Sequence, residues 1–458
     1  GGLMPINSFL YPGAKFTPPY EVANSCRFNN GSNDNLTRTQ SSSNRRTFTF
    51  STWLKIADPT ISNAQIIMEN YADSGNYFIF FINNNPNEFS FFDYSSSATQ
   101  FHFNTTQEIR DPSAWYHTVV AIDTTQSTES NRVKFYINGS QVTSFDTANY
   151  PSQNFQTNVN NGNNHMLGRW GSQSGYGFDG YMAEVVFIDG QALDPTSFGE
   201  FDSDSPNIWK PIDVSGLTFG TNGYYLDFEN ASSLGADVSG NGNNFTVNNL
   251  TSVDQSTDTC TNNFATLNPL NVPTSNAPTF AEGNLKTTCG TTGGAFMGSS
   301  TIGVSSGKWY AEMKVKTIDS ILAGVSANAS EDARDNLCPG QQDDSAGILL
   351  NSGNKYIDDN GTTHGDAFSV DDILMIALDL DNNNVYFGRN GNWFDGSGNA
   401  DESSPNSAIS LTAAGSTADG FYFFSVGDGG GSAAAVAEWN FGSPPYSISS
   451  GNADANGH

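Results

Sequence analysis

Short runs in which every second residue is apolar recur along the chain, separated by clusters of Asn, Gly, Ser and Pro. A period of two marks strands with one face turned to a core, whereas a helix would repeat every third or fourth position. In residues 47–55 the alternation puts Phe48, Phe50 and Leu54 on one face, which predicts a half-buried strand. Strands at 77–82 and 88–92 follow, with a turn over 83–87 between them. Residues 115–123 and 132–137 form a further pair. The second ends on Asn138-Gly139, a hairpin signal because both residues accept positive φ. A strand at 181–188 closes this block at Asp189-Gly190. The one helix on offer lies at 194–201, with Asp194 as its cap and Pro195 in its first turn.

Beyond Trp209 the texture loosens, with one strand at 224–228 and a polar loop at 237–244. A second strand-rich block holds 308–315, 346–350, 372–379, 384–391 and 420–426. Pro5, Pro12, Pro18 and Pro19 leave the first residues without room for regular structure. The expected organisation is all-β. It has an extended arm at 1–20, a jelly-roll sandwich at 21–212 and a connecting segment with one strand at 213–262. A second sandwich at 263–448 and a flexible tail at 449–458 complete it. The two blocks are not close copies, so they are two domains rather than a repeat array.

Composition sharpens this picture. The chain's 458 residues exceed what one hydrophobic core normally serves. Apolar residues make up only 36%, but aromatics reach 12%, with 33 Phe and 17 Tyr. Large rings can hold a core together where Leu and Ile are scarce. A formal net charge of −29 repels nucleic acid and anionic membranes, so neither is expected as a partner. No apolar run is long enough to cross a bilayer. The start, Gly1-Gly2-Leu3-Met4-Pro5, has neither the basic end nor the apolar stretch of an export signal. Met4 could be the native initiator, and such a composition without a signal fits release by cell lysis. The four cysteines, Cys26, Cys260, Cys289 and Cys338, form neither a disulfide scaffold nor a metal cluster. Cys260 and Cys289 could pair or remain buried thiols.

The order of landmarks carries a resemblance. Residues 25–29, 48–55, 115–120, 133–139 (Val-Lys-Phe-Tyr-Ile-Asn-Gly) and 178–184 (Phe-Asp-Gly-Tyr-Met-Ala-Glu) resemble a laminin-G-like, concanavalin A-like jelly roll over about 21–212. Residues 306–312 (Ser-Gly-Lys-Trp-Tyr-Ala-Glu), 373–379, 385–391 (Val-Tyr-Phe-Gly-Arg-Asn-Gly) and 439–442 resemble a SPRY domain. The pairing is similar to virion-associated appendage proteins of marine tailed phages. It implies a non-enzymatic fibre, knob or decoration subunit on the virion surface, built as a homo-oligomer, whose partners are other virion proteins and a host glycan or protein. The other reading is a secreted or cell-surface bacterial lectin.

Three groups of residues are candidate sites. Trp170, Tyr176 and Asp179 lie in a glycine-rich stretch, combining the aromatic platform and hydrogen-bonding acid that sugar recognition needs. Asn390, Trp393 and Asp395 form a similar set in the second block, where the SPRY resemblance implies loops that grip protein partners. Asp237, Ser239, Asn241 and Asn243 alternate in a loop as calcium ligands would. The same residues also suit an Asn/Gly turn bonded to its own backbone. No other cofactor is expected. Glu184 and Glu312 each stand alone in a strand, and glycoside hydrolysis needs a facing pair of carboxylates.

Overall fold

The structure, a computed structural model, describes residues 20–84, 86–171, 173–273, 277–289, 296–327, 338–429 and 434–448. All of the expected arm but Tyr20, and the expected tail at 449–458, lie outside these residues. The chain is all-β, with every strand pairing antiparallel.

The first sandwich has two eight-stranded sheets. Its front sheet runs Ser140–Gln141, Val133–Ile137, Trp115–Asp123, Thr47–Ile56, Gly180–Asp189, Ser25–Phe28 and Gln255–Ser256, with Tyr224–Leu226 also pairing onto Gly180–Asp189. The back sheet runs Phe145–Asn149, Ala98–Glu108, Glu88–Ser95, Asn76–Ile82, Gln65–Asp73, Asn164–Leu167, Asn35–Thr39 and Thr246–Asn248. Phenylalanines from both sheets meet between them: Phe48 against Phe78 at 6.1 Å and Phe50 against Phe80 at 6.2 Å, both edge to face. Edge-to-face rings add to the large apolar area each one buries, so aromatics do fill this core.

Three expectations change. The strand Thr47–Ile56 is buried on both faces rather than one. Its outward side chains lie under a third layer that includes Phe198, Trp209, Val214, Phe219 and Tyr225, together with Tyr20 and Val22. The segment 213–262 contributes three strands, not one: Tyr224–Leu226 and Gln255–Ser256 join the front sheet, and Thr246–Asn248 edges the back sheet. Its apolar residues are too sparse to show a period, yet Tyr224, Leu226, Leu234 and Phe245 all enter the first core. The helix at 194–201 shrinks to one 3-10 turn, Pro195–Ser197, before the strand Gly199–Phe201. Asp194 caps it by accepting from the Thr196 N–H at 2.9 Å, but Phe198 is drawn onto the sheet.

The second sandwich pairs a nine-stranded and a six-stranded sheet around Met313, Ile376, Phe387, Tyr422 and Trp439. Cys260 and Cys289 are not joined to each other: Cys289 is in this core, whereas Cys260 packs beside Trp209 on the first sandwich.

The sandwiches meet in a seam of directed bonds. Tyr181 donates to the Gly283 carbonyl at 3.0 Å, Asn29 to Glu282 at 2.9 Å, and Asn284 to the Ala57 carbonyl at 2.5 Å. Gly283 has φ +62, and a Cβ there would lie 2.3 Å from the Tyr181 hydroxyl oxygen. Only glycine satisfies both demands. Arg27, wholly buried, donates to the Val253 carbonyl at 2.7 Å and faces Asp254 and Glu282.

Candidate functional site

The outer face of the back sheet carries a cluster of aromatic rings. In Asn76–Ile82, Phe78, Phe80 and Ile82 point to the core, leaving Tyr77, Ile79 and Phe81 on the other side. Cross-strand register then lines up Tyr71, Tyr77 and Tyr94 on three neighbouring strands. Their ring centroids are 6.3 and 5.2 Å apart. Trp170 lies against Tyr77 at 5.8 Å, and Tyr176 meets Trp170 edge-on at 5.4 Å. All five rings are half-buried, so they form a shelf with ring surface still facing water.

Beneath Trp170 lies Glu69, fully buried, with one carboxyl oxygen accepting from the Gly171 N–H at 2.8 Å. Burial pushes this carboxyl up to about 7. Its second oxygen and the Trp170 indole N–H have no hydrogen-bond partner among the described residues.

The structure thus joins two of the three expected sugar-site residues and removes the third. Asp179 is buried at the seam, where burial, followed by Asp58, Glu282 and Asp34, pushes its carboxyl up to about 8. A carboxyl held there is turned away from solvent. Tyr71, Tyr77 and Tyr94 are the residues the sequence did not reveal. The unbroken apolar run at 77–82 hides which residues face out, and only register shows that three tyrosines coincide.

The loop with Asp237, Ser239, Asn241 and Asn243 is closed by its own bonds. The Asp237 carboxylate accepts from the N–H groups of Tyr225, Ser239 and Asn243 at 3.0, 2.9 and 2.7 Å. Asn241 and Asn243 both donate to the Gly223 carbonyl, at 2.9 and 2.8 Å, and the Asn243 side-chain oxygen accepts from Arg38 at 2.6 Å. The Asp237, Ser239 and Asn243 oxygens that a calcium ion would need are engaged by donors, one of them cationic. Adding or chelating calcium is therefore expected to leave Tm unchanged. Asp237→Ala is expected to cost about 1–3 kcal/mol in either condition, measured by urea denaturation with and without chelator. A calcium-dependent rise in Tm that Asp237→Ala abolishes would restore the ion.

In the second sandwich, Asn390 is exposed at a hairpin turn with φ 50, bonded to Asp372 at 2.7 Å and to the Ile373 N–H at 2.8 Å. Asp395 accepts from Ser397, Gly398 and Asn399, and the Asn399 amide leads these donors in holding its carboxyl down at about 2. Trp393 leans edge-on against Tyr310 at 6.4 Å. Asn390 and Asp395 shape their own turns, and Trp393 with the exposed Tyr310 is the pair left to offer a partner.

Two Ser–His contacts lie among the described residues: the Ser90 hydroxyl is 3.1 Å from His102 Nε2, and the buried pair Ser51–His117 has a geometry that opposes catalysis. His117 Nε2 lies 2.9 Å from the Ser51 hydroxyl, while Nδ1 accepts from the Trp209 indole N–H at 3.0 Å. With Nδ1 accepting, a neutral ring carries its hydrogen on Nε2. It cannot then take the serine proton. Both side chains are buried, and burial lowers the histidine to about 3. Glu184 is held by the hydroxyls of Tyr20 and Tyr225, and Glu312 by Tyr310 and Asn440.

Solved structures with related shapes include the SPRY domain of human HERC1, 18% identical, covering 38% of this chain and 98% of that one at TM-score 0.30. A proposed carbohydrate binding protein from Bacteroides ovatus ATCC 8483 is 18% identical, covering 50% and 59% at TM-score 0.35. A native heptameric SAP-like pentraxin from Limulus polyphemus is 15% identical, covering 38% and 80% at TM-score 0.27. No curated protein matches the sequence. Residues 30–197, the greater part of the first sandwich, match the concanavalin A-like lectin/glucanases superfamily, as the laminin-G-like resemblance of that block implied.

Proposed function

We propose that this chain is a non-enzymatic binding protein that takes carbohydrate on the aromatic shelf of its first sandwich, as an outward-facing appendage of a virion. The observation that carries the binding reading is the row Tyr71, Tyr77 and Tyr94, flanked by Trp170 and Tyr176. Half-exposed rings present flat apolar surface to the C–H face of a sugar. Strands about 4.8 Å apart make such a row about 10 Å long, enough for more than one sugar ring. A net charge of −29 disfavours acidic glycans and favours neutral ones. The virion setting is supported by the resemblance of the paired domains, and other virion proteins are the partners it calls for.

Binding to neutral polysaccharides, followed by calorimetry, is the test. Trp170→Ala and Tyr77→Ala are each expected to weaken affinity about fivefold to tenfold, as loss of one stacked ring would. Unchanged affinity in folded variants would remove the shelf from the reading. Microscopy of particles with labelled protein tests the setting. Absence from particles with presence on a cell envelope would replace the appendage by a bacterial surface lectin.

A further inference from the structure

Lys55 has no solvent exposure, although it sits in a chain with only 18 basic residues. Its Nζ lies 2.7 Å from Asp258 Oδ2, 2.8 Å from Asn263 Oδ1 and 2.8 Å from the Phe264 carbonyl. Asn263 is oriented from its other end, where its amide nitrogen donates to the Ser113 carbonyl at 2.7 Å. Asp258, 2% exposed, also accepts from the Trp115 indole N–H at 3.1 Å. The Tyr181 ring covers the ammonium, its centroid 5.8 Å away. An amine and a carboxyl group therefore share one buried, aromatic-walled site, with the side-chain oxygen of Asn263 reaching in from an exposed residue.

We propose that Lys55 and Asn263 are a modification site at which the chain joins itself through an intramolecular isopeptide bond, with Asp258 as the proton carrier. An amide oxygen 2.8 Å from Nζ holds its carbon near the separation of about 3–3.5 Å from which attack proceeds. Burial raises the Asp258 carboxyl above its ordinary value, so it accepts a proton more readily than a free aspartate. The Nζ proton passes to Asp258, and the freed lone pair attacks Asn263 Cγ. Asp258 then protonates Nδ2 and takes a second proton from Nζ. The Nζ–Cγ bond forms, the Cγ–Nδ2 bond breaks, and the nitrogen leaves as ammonia. The products are a secondary amide, free ammonia and a protonated Asp258. Atoms and charge balance, and no oxidant is needed. The bond would fasten the central strand Thr47–Ile56 to the segment that leads into the second sandwich.

The test is the intact mass of the full chain, followed by digestion and tandem mass spectrometry. The expected mass is one ammonia below that of the sequence, with the loss carried by cross-linked peptides containing Lys55 and Asn263. Asp258→Asn and Asn263→Ala, shown to be folded by circular dichroism, are expected to have the masses of their own sequences. An unmodified wild-type mass overturns the proposal, because a lasting ion pair loses nothing. So does an ammonia loss that maps to another asparagine or persists in both variants. The wild-type measurement decides the matter even if a variant does not fold.

Discussion

Replacing Trp209 by alanine is expected to lower the free energy of unfolding by about 3–5 kcal/mol. The ring is the keystone of the layer that covers the front sheet. It stacks on His117 at 5.9 Å and meets Phe201 edge-on at 4.9 Å. Gly139 and Gly199 make room for it, since a Cβ at either would come within 2.3 or 2.6 Å of the ring. Truncation leaves a cavity and also strips His117 Nδ1 of its donor, an uncompensated loss inside a buried cluster. Trp209→Phe keeps most of the packing, so its smaller cost, about 1–3 kcal/mol, isolates the hydrogen bond. Urea unfolding reads both variants, as a lower midpoint at unchanged slope. A cost below about 1 kcal/mol for the alanine variant would mean that this layer lies on the sandwich without supporting it.

Acidification is expected to stabilise the protein. Asp179 is held at about 8, Glu69 and Glu184 at about 7, and Asp34 and Asp93 at about 6, in each case chiefly by burial. Carboxyls raised above their unfolded values bind protons more tightly when folded. Their contribution is complete below the unfolded range and is lost as pH rises through about 6 to 8. Buried histidines act in the opposite sense. His117 and His165 are lowered to about 3 and His364 to about 4. Their contribution is present above the unfolded value and is lost as pH falls below about 6.5. Five carboxyls outweigh three imidazoles, so stability is expected to gain a few kcal/mol between about pH 8.5 and 5.5. Relief of the excess negative charge adds to this. Urea midpoints at fixed ionic strength measure the trend, and a flat or falling profile would contradict it.

Where one periodic strand was enough to state a side, the sequence was a good guide. The strands Trp115–Asp123 and Lys308–Val315 have their expected bounds, and Asn138 and Gly139 take φ values of 47 and 76. The alternation fails where the backbone slips. A bulge between Ile66 and Met68 breaks the period of Gln65–Asp73, and Glu184, at φ 50, sits in another between Ala183 and Val186. The third layer was hidden for a different reason. Its two strands, Gly199–Phe201 and Trp209–Pro211, are three residues each, too short to show any period. The candidate site divides in the same way. Trp170 and Tyr176 are neighbours in one loop and could be found locally, whereas the tyrosine row exists only through pairing of three strands. Asp179 looked available because its stretch is polar, but Gly180, at φ 153, begins a buried strand and takes Asp179 inward with it.

The seam between the sandwiches also bears on how the molecule carries load. Ser25–Phe28 lies between Gly180–Asp189 and Gln255–Ser256, antiparallel to both. A pull along that strand meets ladder bonds on both edges, loaded sideways all together instead of peeled open one by one. Just before it, Tyr20 is bonded to Glu184 in the same sheet, and just after it Asn29 is bonded to Glu282 at the start of the second sandwich. Tension entering at Tyr20 is therefore expected to be shared by both domains rather than borne by the first alone.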